Sequence, residues 1–391
     1  MNKLGEKAVR DEVVYVPAKV FVRRHMTESY YCDKCINPEI EAKKVVTAVV
    51  PKPPIRNSLA SASVLAQVLH NKFRLSLPLY RQVDDWNAYG LRVEYRTLVN
   101  WVNIACHDWL SGLYELIHRH IMSQDKVHAD ETVYQVLNRT DGKPGTSEAR
   151  IWLATTTEDA KIPAVYYQSS LSRSQACADS LLAGFRGYLH TDGYQVYKNI
   201  AGVIQVGCWA HVRRKFKDVG FSTGKAAIAV AYCNQLFKIE RELAELTPDM
   251  RKQKRLYLLK PIMDEFFDWL STLYTVKGKL QTAVEYALNQ KESLMNILYD
   301  GELSLSNNFA ERSMRLIAIG RKNYLFSTSI RGAQANAMAY TLMETAKLHG
   351  INDYKYLDYL FTHLPNNNFY RYPELLEDFL PWAHSIKKYC T

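Results

Sequence analysis

An α/β fold organised around a mixed sheet is predicted, on three observations. From Asp125 the apolar period switches from helical to alternating, with long strand signals at 126–136, 150–156 and 164–168. Short apolar runs at 187–191 and 203–208 follow, separated by helical stretches, and strands alternating with helices are the pattern of an α/β sheet. The sheet signals are bracketed by helices on both sides, before Asp125 and over 225–300. At roughly 100–200 residues per domain, 391 residues correspond to two or three domains.

In chain order, residues 1–50 read as a small β-rich segment, with strands at 13–16, 20–24, 30–31 and 44–50 around Arg23-Arg24 and the pair Cys32/Cys35. Pro51-Lys52-Pro53-Pro54 reads as a stiff linker. Helices follow at 58–71, 76–87 and 95–107; Pro78 sits near a helix start, where proline is tolerated, and Gly90 ends the second helix. Short helices joined by a glycine-containing turn resemble a helix-turn-helix. Arg96 and Asn100 are four apart on the third helix, so they share a face, and both types contact phosphates or base edges. An ordinary three-helix packing unit shows the same pattern. Asp141 to Gly145 is a turn joining the first two strands of the sheet, and 172–183 reads as a helix. The helical stretch 225–300 carries charge-dense faces and is punctuated at Thr247-Pro248 and Lys260-Pro261. A polar turn, Ser304 to Asn308, precedes a helix from about Phe309, and the tail from Gly350 is aromatic-rich and short-segmented.

Composition narrows the function classes. With 47% hydrophobic and 23% charged residues the chain can bury enough apolar surface to offset ordering entropy, which excludes a mainly disordered protein. No window of about 18 apolar residues appears, so no membrane span is predicted. The first residues lack the apolar run of a signal peptide, and seven cysteines, an odd number, suit a reducing, cytoplasmic setting. The balance of 50 basic and 40 acidic residues, 50 − 40 = +10, points to a polyanionic partner.

Three acids stand out by placement: Asp130 on the first long strand, Asp192 at the end of a strand expected in the same sheet, and Glu311 at a helix start. Two strand-borne aspartates can meet near the sheet surface with a helix-borne glutamate leaning over them. Such a set of oxygen ligands suits two Mg²⁺ or Mn²⁺ ions and phosphodiester chemistry. Each acid also has a plainer reading: an Asp before Gly often forms a turn, and a Glu in a first helical turn complements the helix dipole. His128 and His190 precede the two aspartates by two residues, on the same strand face, and read best as hydrogen-bonded core residues. Cys208 and His211 lie one helical turn apart; two ligands are half a zinc site, and a packing or active-site-shaping role fits them better. Arg213, Arg214 and Lys215 form the strongest basic cluster, and Arg312, Arg321 and Lys322 add charge after Glu311, as a phosphate backbone would require. No Gly-x-x-x-x-Gly-Lys-[Ser/Thr] nucleotide loop occurs.

Taken together, Leu77-Pro78-Leu79-Tyr80-Arg81-Gln82, His128-Ala129-Asp130-Glu131-Thr132, Asp192-Gly193-Tyr194, Cys208-Trp209-Ala210-His211-Val212-Arg213-Arg214-Lys215-Phe216, Asn307-Asn308-Phe309-Ala310-Glu311-Arg312 and Gly320-Arg321-Lys322-Asn323-Tyr324-Leu325-Phe326 resemble, in order, the bacterial insertion-sequence transposases of the sixty-six family (TnpC type). Shorter matching stretches at 53–61, 183–187 and 344–348 extend the resemblance over nearly all of 20–350. It implies a ribonuclease-H-like catalytic core with Asp130, Asp192 and Glu311 as metal-binding catalytic acids. It also implies that the helical stretch is an insertion in that core and that a small C-terminal module follows. The expected divisions are 1–50, a partial zinc-binding-like segment; 51–125, DNA-binding-like helices; 126–349, the catalytic domain with its insertion at about 221–300; and 350–391.

Two departures from the family pattern are visible. The family carries two Cys-x-x-Cys-like pairs in a zinc-binding segment after an N-terminal helical region. Here only Cys32 and Cys35 remain, a four-ligand zinc site cannot be completed from nearby cysteines, and the chain is expected to be short at its N-terminus. Ser306 stands where the family commonly has an acid. The resemblance implies metal-dependent cleavage at the ends of an insertion element and strand transfer into target DNA, by a homo-oligomer on paired ends with possible accessory proteins of the same element. A ribonuclease-H-like nuclease or resolvase without strand transfer, or an inactive DNA-binding remnant, are the alternatives.

Overall fold

The computed structural model describes residues 10–15, 18–37, 42–220, 224–273 and 276–391. At the N-terminus β1 (Ser29–Asn37) pairs antiparallel with β2 (Ala42–Thr47), with Tyr30 opposite Val46 and a slip in register between Tyr31 and Ile36. The strands predicted at 13–16 and 20–24 are not formed among the described residues. Apolar alternation makes a strand only when another strand supplies cross-strand partners, and β1 and β2 pair with each other.

Helix α1 (Ala62–Leu69) starts at Ser61, whose hydroxyl accepts the Val64 N–H at 3.3 Å, and continues as a π-helical stretch over His70–Arg74. Helix α2 (Leu79–Ala88) follows Pro78. Helix α3 (Tyr95–Ile104) does not stop near His107 as expected; it passes through a π-helical stretch, Ala105–Leu110, into α4 (Ser111–Met122). The buried stripe simply continues through Leu110, Leu113, Ile117 and Ile121, so packing carries the helix on.

The central sheet comprises β3 (Lys126–Asn138), β4 (Glu148–Thr156), β5 (Val165–Ser170), β6 (Gly187–Thr191) and β7 (Val203–Gly207), in the order β5-β4-β3-β6-β7. The first three are antiparallel; β6 is parallel to β3 and β7 to β6. Helix α5 (Gln175–Leu181) lies between β5 and β6 in the chain. Three antiparallel strands extended by two parallel ones form the predicted ribonuclease-H-like core. After β7 come α6 (Trp209–Lys217), α7 (Lys225–Glu242), α8 (Pro248–Ser271), α9 (Gly278–Asn289) and α10 (Lys291–Met295). They enclose a second core, in which Trp209 packs with its ring centroid 5.6 Å from Phe266 and 5.9 Å from Phe267. Lys260-Pro261 does not interrupt α8. The helix gives up one N–H there, and burial of Leu259, Met263, Phe266 and Phe267 on either side of it outweighs that loss.

Helix α11 (Asn308–Tyr324) then returns to the sheet, followed by β8 (Ser327–Ser329), a short strand beside β3 that hydropathy did not signal, and α12 (Ile330–Leu348). Alanines at 333, 335, 337, 339 and 346 let α12 approach closely. On it, Thr341 and Thr345 accept the Tyr167 and Val165 N–H groups of edge strand β5 at 2.9 and 3.2 Å. The open edge of the sheet is thereby capped by side chains. Helix α13 (Asp353–His363) packs on α1, and α14 (His384–Cys390) packs on α13, in the same core as the sheet. Among the described residues no helix is long and apolar enough to cross a membrane.

Candidate active site

The site begins with register. Parallel pairing of β3 and β6 sets His128 opposite His190, and their rings stack at 4.4 Å, 10° from coplanar. Side chains repeat every two residues along a strand, so Asp130 projects from the same face as His128, and Asp192 follows just past the end of β6. Asp130 Oδ1 accepts the Glu131 N–H at 2.8 Å. Burial first, then the negative charges of Glu131, Asp192 and Glu311, push the Asp130 carboxyl up to about 8. The three acids therefore share one electrostatic neighbourhood.

Asp192 is held at a tight corner. Its Oδ1 accepts the Tyr194 N–H at 3.0 Å, the turn-forming bond expected of an Asp before Gly, and its carbonyl accepts the Tyr286 hydroxyl. Gly193 has φ +92°, a backbone conformation that favours glycine, and a Cβ there would stand 2.7 Å from the Gln290 amide and displace it. Glu311 sits in the first turn of α11, whose start is set by the wholly buried Asn307. The Asn307 amide donates to the Ala129 carbonyl at 2.8 Å, its Oδ1 bonds His128 Nδ1 at 2.8 Å, and its N–H donates to Cys208 Sγ at 3.2 Å. One residue thus ties β3 and the start of α6 to α11, its side chain to β3 and its backbone to Cys208.

The Glu311 carboxylate faces α6. Its Oε2 accepts from Arg214 at 2.8 Å, and its Oε1 lies 3.6 Å from His211 Nδ1. Neither Glu311 Oε1 nor His211 Nδ1 has a hydrogen-bond partner, although both atoms are buried. Ligand atoms of Cys208, His211 and Glu311 lie within 4.8 Å of one another; Asp130 and Asp192 belong to no such group among the described residues. Burial pushes the Cys208 thiol up to about 11 and lowers His211, against the opposing pull of Glu311. The donors fit a divalent cation: an unspent carboxylate oxygen on Glu311, and an Asp130 carboxyl whose charged form lacks a nearby cation. Oxygen donors from three acids suit hard Mg²⁺ or Mn²⁺.

Other predicted residues separate. Of the basic cluster, Arg214 turns to Glu311, Arg213 donates to Asn234 at 2.6 Å on α7, and Lys215 Nζ stands 5.5 Å over the Tyr286 ring. Arg312 pairs with Glu158, Arg321 donates to the Val133 carbonyl, and Lys322 is exposed. Arg96 and Asn100 are exposed on α3, remote in the chain from the acids. Cys32 is exposed, and the side chain of Cys35 lies outside the described residues. His128 has the hydrogen-bonded core role expected of it and is lowered by burial to about 4. His190 does not: on β6, between β3 and β7, it is fully buried under the His128 ring, and neither ring nitrogen has a hydrogen-bond partner among the described residues.

Sequence reasoning missed the ring around Asp130. Glu131 pairs with Arg173 and accepts the Tyr197 hydroxyl at 2.7 Å, and Arg173 stacks 3.6 Å from the Tyr194 ring centroid. Glu131 and Tyr194 flank the two aspartates in sequence and were within reach; Arg173 and Tyr286 arrive from distant segments with no local signal.

Comparison with known proteins bears on this geometry. Residues 57–335 match the model of the transposase IS66 family, 341–382 the IS66 C-terminal element, and 1–35 the zinc-finger binding domain of transposase IS66. Relatives include the uncharacterized proteins y4jD and y4qI of Sinorhizobium fredii (strain NBRC 101917 / NGR234). Protein y4jD is 31% identical over 98% of this chain and 76% of its own length. Protein y4qI is 31% identical over 86% of this chain and 65% of its own length. With the family model covering the sheet, the acids and the helices between them, the chain belongs to the IS66 family of transposases.

Proposed function

We propose that the chain cleaves DNA at the ends of its insertion element and transfers the freed strand into target DNA, with Asp130, Asp192 and Glu311 as the catalytic acids. The observation that carries this reading is the pairing of β3 with β6, which sets Asp130 near the strand end that carries Asp192, with Glu311 of α11 adding to the negative charge that, after burial, holds the Asp130 carboxyl up at about 8. Two divalent cations held by these acids would activate the attacking oxygen and neutralise charge on the leaving one. In cleavage, a water oxygen bonds to phosphorus and the P–O3′ bond breaks, leaving a 3′-hydroxyl. In transfer, that hydroxyl attacks a target phosphodiester and releases a new target 3′-hydroxyl, so no covalent protein intermediate is needed. Arg214 would leave Glu311 for a phosphate oxygen as Glu311 takes up its metal-binding role, and Lys215 would contact the adjacent backbone. Exposed Arg96 and Asn100 on α3 would contact duplex DNA, and Cys208 and His211 would shape the wall behind Glu311. Paired ends would call for a homo-oligomer, and zinc would belong to the N-terminal segment carrying Cys32 and Cys35.

The test is a Mn²⁺-dependent strand-transfer assay with pre-cleaved element-end DNA and a plasmid target, with Asp192→Asn as control. Joint molecules from wild type alone support the reading. Cleavage without joining would make the chain a nuclease or resolvase, and binding without either would make it an inactive remnant.

A further inference from the structure

We propose that the cleft between α2–α3 and the C-terminal end of α11 holds one unpaired nucleotide of the DNA, with its phosphate on Lys72 and its base against Tyr80, Tyr95 and Phe326. The proposal rests on the DNA-binding reading above. The cleft encloses about 280 Å³, near the lower end of the roughly 300–1,000 Å³ typical of ligand sites.

Its central feature is an unanswered charge. Lys72, in the π-helical stretch after α1, is only 9% exposed, yet its side chain makes no ion pair or hydrogen bond among the described residues. Its Nζ lies over two ring faces, 4.5 Å from the Tyr324 centroid and 4.8 Å from that of Phe73. Burial lowers it to about 8, a cost that a bound anion would remove. A second polar group in the wall is also unanswered: Asn103 donates its amide to the Val99 carbonyl at 2.9 Å, but its Oδ1 is buried and has no donor. The ligand therefore offers an anion and an N–H group, as a nucleotide does.

The mouth supplies stacking surface. Tyr80 is 54% exposed, Tyr95 51% and Phe326 38%, and beside them Leu325 is held at φ +57°, a left-handed conformation unusual for a leucine. Aromatic faces stack any base, and strained, exposed backbone concentrates at ligand sites. The position is informative too. Tyr324 lies 13 residues beyond Glu311 on one helix, about 20 Å at ~1.5 Å per residue, or roughly six nucleotides at ~3.4 Å each. The unpaired nucleotide is thus held about that far from the reacting phosphate.

The experiment uses the full chain and two fluorescein-labelled 30-bp duplexes. One is fully paired; the other carries a single 2-aminopurine opposite an abasic site. Wild type is expected to bind the second at least fivefold more tightly and to quench 2-aminopurine. Lys72→Met and Tyr95→Ala are each expected to abolish that preference while leaving paired-duplex affinity within twofold. Lys72→Met removes an unpaired buried charge at nearly constant shape, so its melting temperature should not fall. Equal binding of both duplexes by wild type, or a preference that survives Lys72→Met, would overturn the proposal. Loss of paired-duplex binding in wild type would overturn the DNA-binding reading itself. Deoxyadenosine monophosphate should displace the unpaired probe at a tenth of the concentration of inorganic phosphate; equal displacement would leave an anion site and refute the base contact.

Discussion

Asp130 is a carboxyl that folding moves far from its ordinary value. Its folded-state value of about 8 lies above the ordinary 3.8, so the folded protein holds this proton more tightly than the unfolded chain. The associated stability is fully present below about pH 4 and is lost as pH rises through 8. Asp130→Asn should therefore melt with wild type at pH 4 and above it at pH 8.5 in EDTA. The gap should be roughly 1–2 °C if solvent screening leaves about 1 kcal/mol of the penalty. Mg²⁺ should raise the wild-type midpoint at pH 8.5 and leave that of Asp130→Asn unmoved; an equal response of both proteins in a thermal melt would remove Asp130 from the metal set. Asp130→Asn, Asp192→Asn and Glu311→Gln should each abolish strand transfer with duplex binding retained, and appreciable joining by any one would exclude that residue.

Elements decide where these residues can act. Helix α6 presents Lys215 over Tyr286 with no carboxylate partner, whereas Arg214 is already engaged by Glu311. Lys215→Ala should weaken DNA binding and reduce the slope of log K against log salt by about 0.9 for one lost phosphate contact. An unchanged slope in anisotropy titrations would argue against a backbone role. Arg214→Ala should reduce the slope less, because Arg214 gives up Glu311 to reach a phosphate. Helix α12 holds the opposite edge of the sheet through Thr341 and Thr345. Valine at both positions keeps the shape and strands two buried N–H groups of β5. It should cost about 1–3 kcal/mol per group in urea unfolding; a loss under 1 kcal/mol for the pair would show that the two threonines do not hold the outer edge of β5.

At the scale of the whole molecule, the helices between β7 and α11 govern the approach of Glu311. Arg255 on α8 is fully buried; it pairs with Glu240 on α7 and donates to the carbonyls of Ile297, Asp300 and Leu303, in the segment leading to α11. From the other side, the Trp209 backbone N–H donates to the Leu305 carbonyl at 2.9 Å, and its indole N–H to that of Leu294 at 3.1 Å. Arg255→Met leaves those carbonyls and Glu240 uncompensated and should cost about 3–5 kcal/mol. Strand transfer should fall with it at temperatures where the protein stays folded by circular dichroism, although Arg255 touches no acid of the site. Full activity of a folded Arg255→Met protein would show that Glu311 is placed by Asn307 alone.

The sequence by itself determined the strand-helix order of the core, because hydrophobic period is a local property: β6 formed over the predicted residues, and β3, β4, β5 and β7 within about two of their expected ends. It also singled out the three acids, since strand ends and helix starts carry local marks. What it could not contain is which strands adjoin. The strands expected at 13–16 and 20–24 are not formed among the described residues, because alternation there found no partner strand, and the passage of α8 through Pro261 was decided by apolar burial on both sides of it. The Asn307 clamp, the Arg173 and Tyr286 contacts, the turning of Arg213 away from Arg214, and the isolation of His190 and Lys72 all arise between segments distant in the chain. Only the tertiary structure decides such features, because burial, pairing and the cost of an unanswered charge depend on what folding brings alongside.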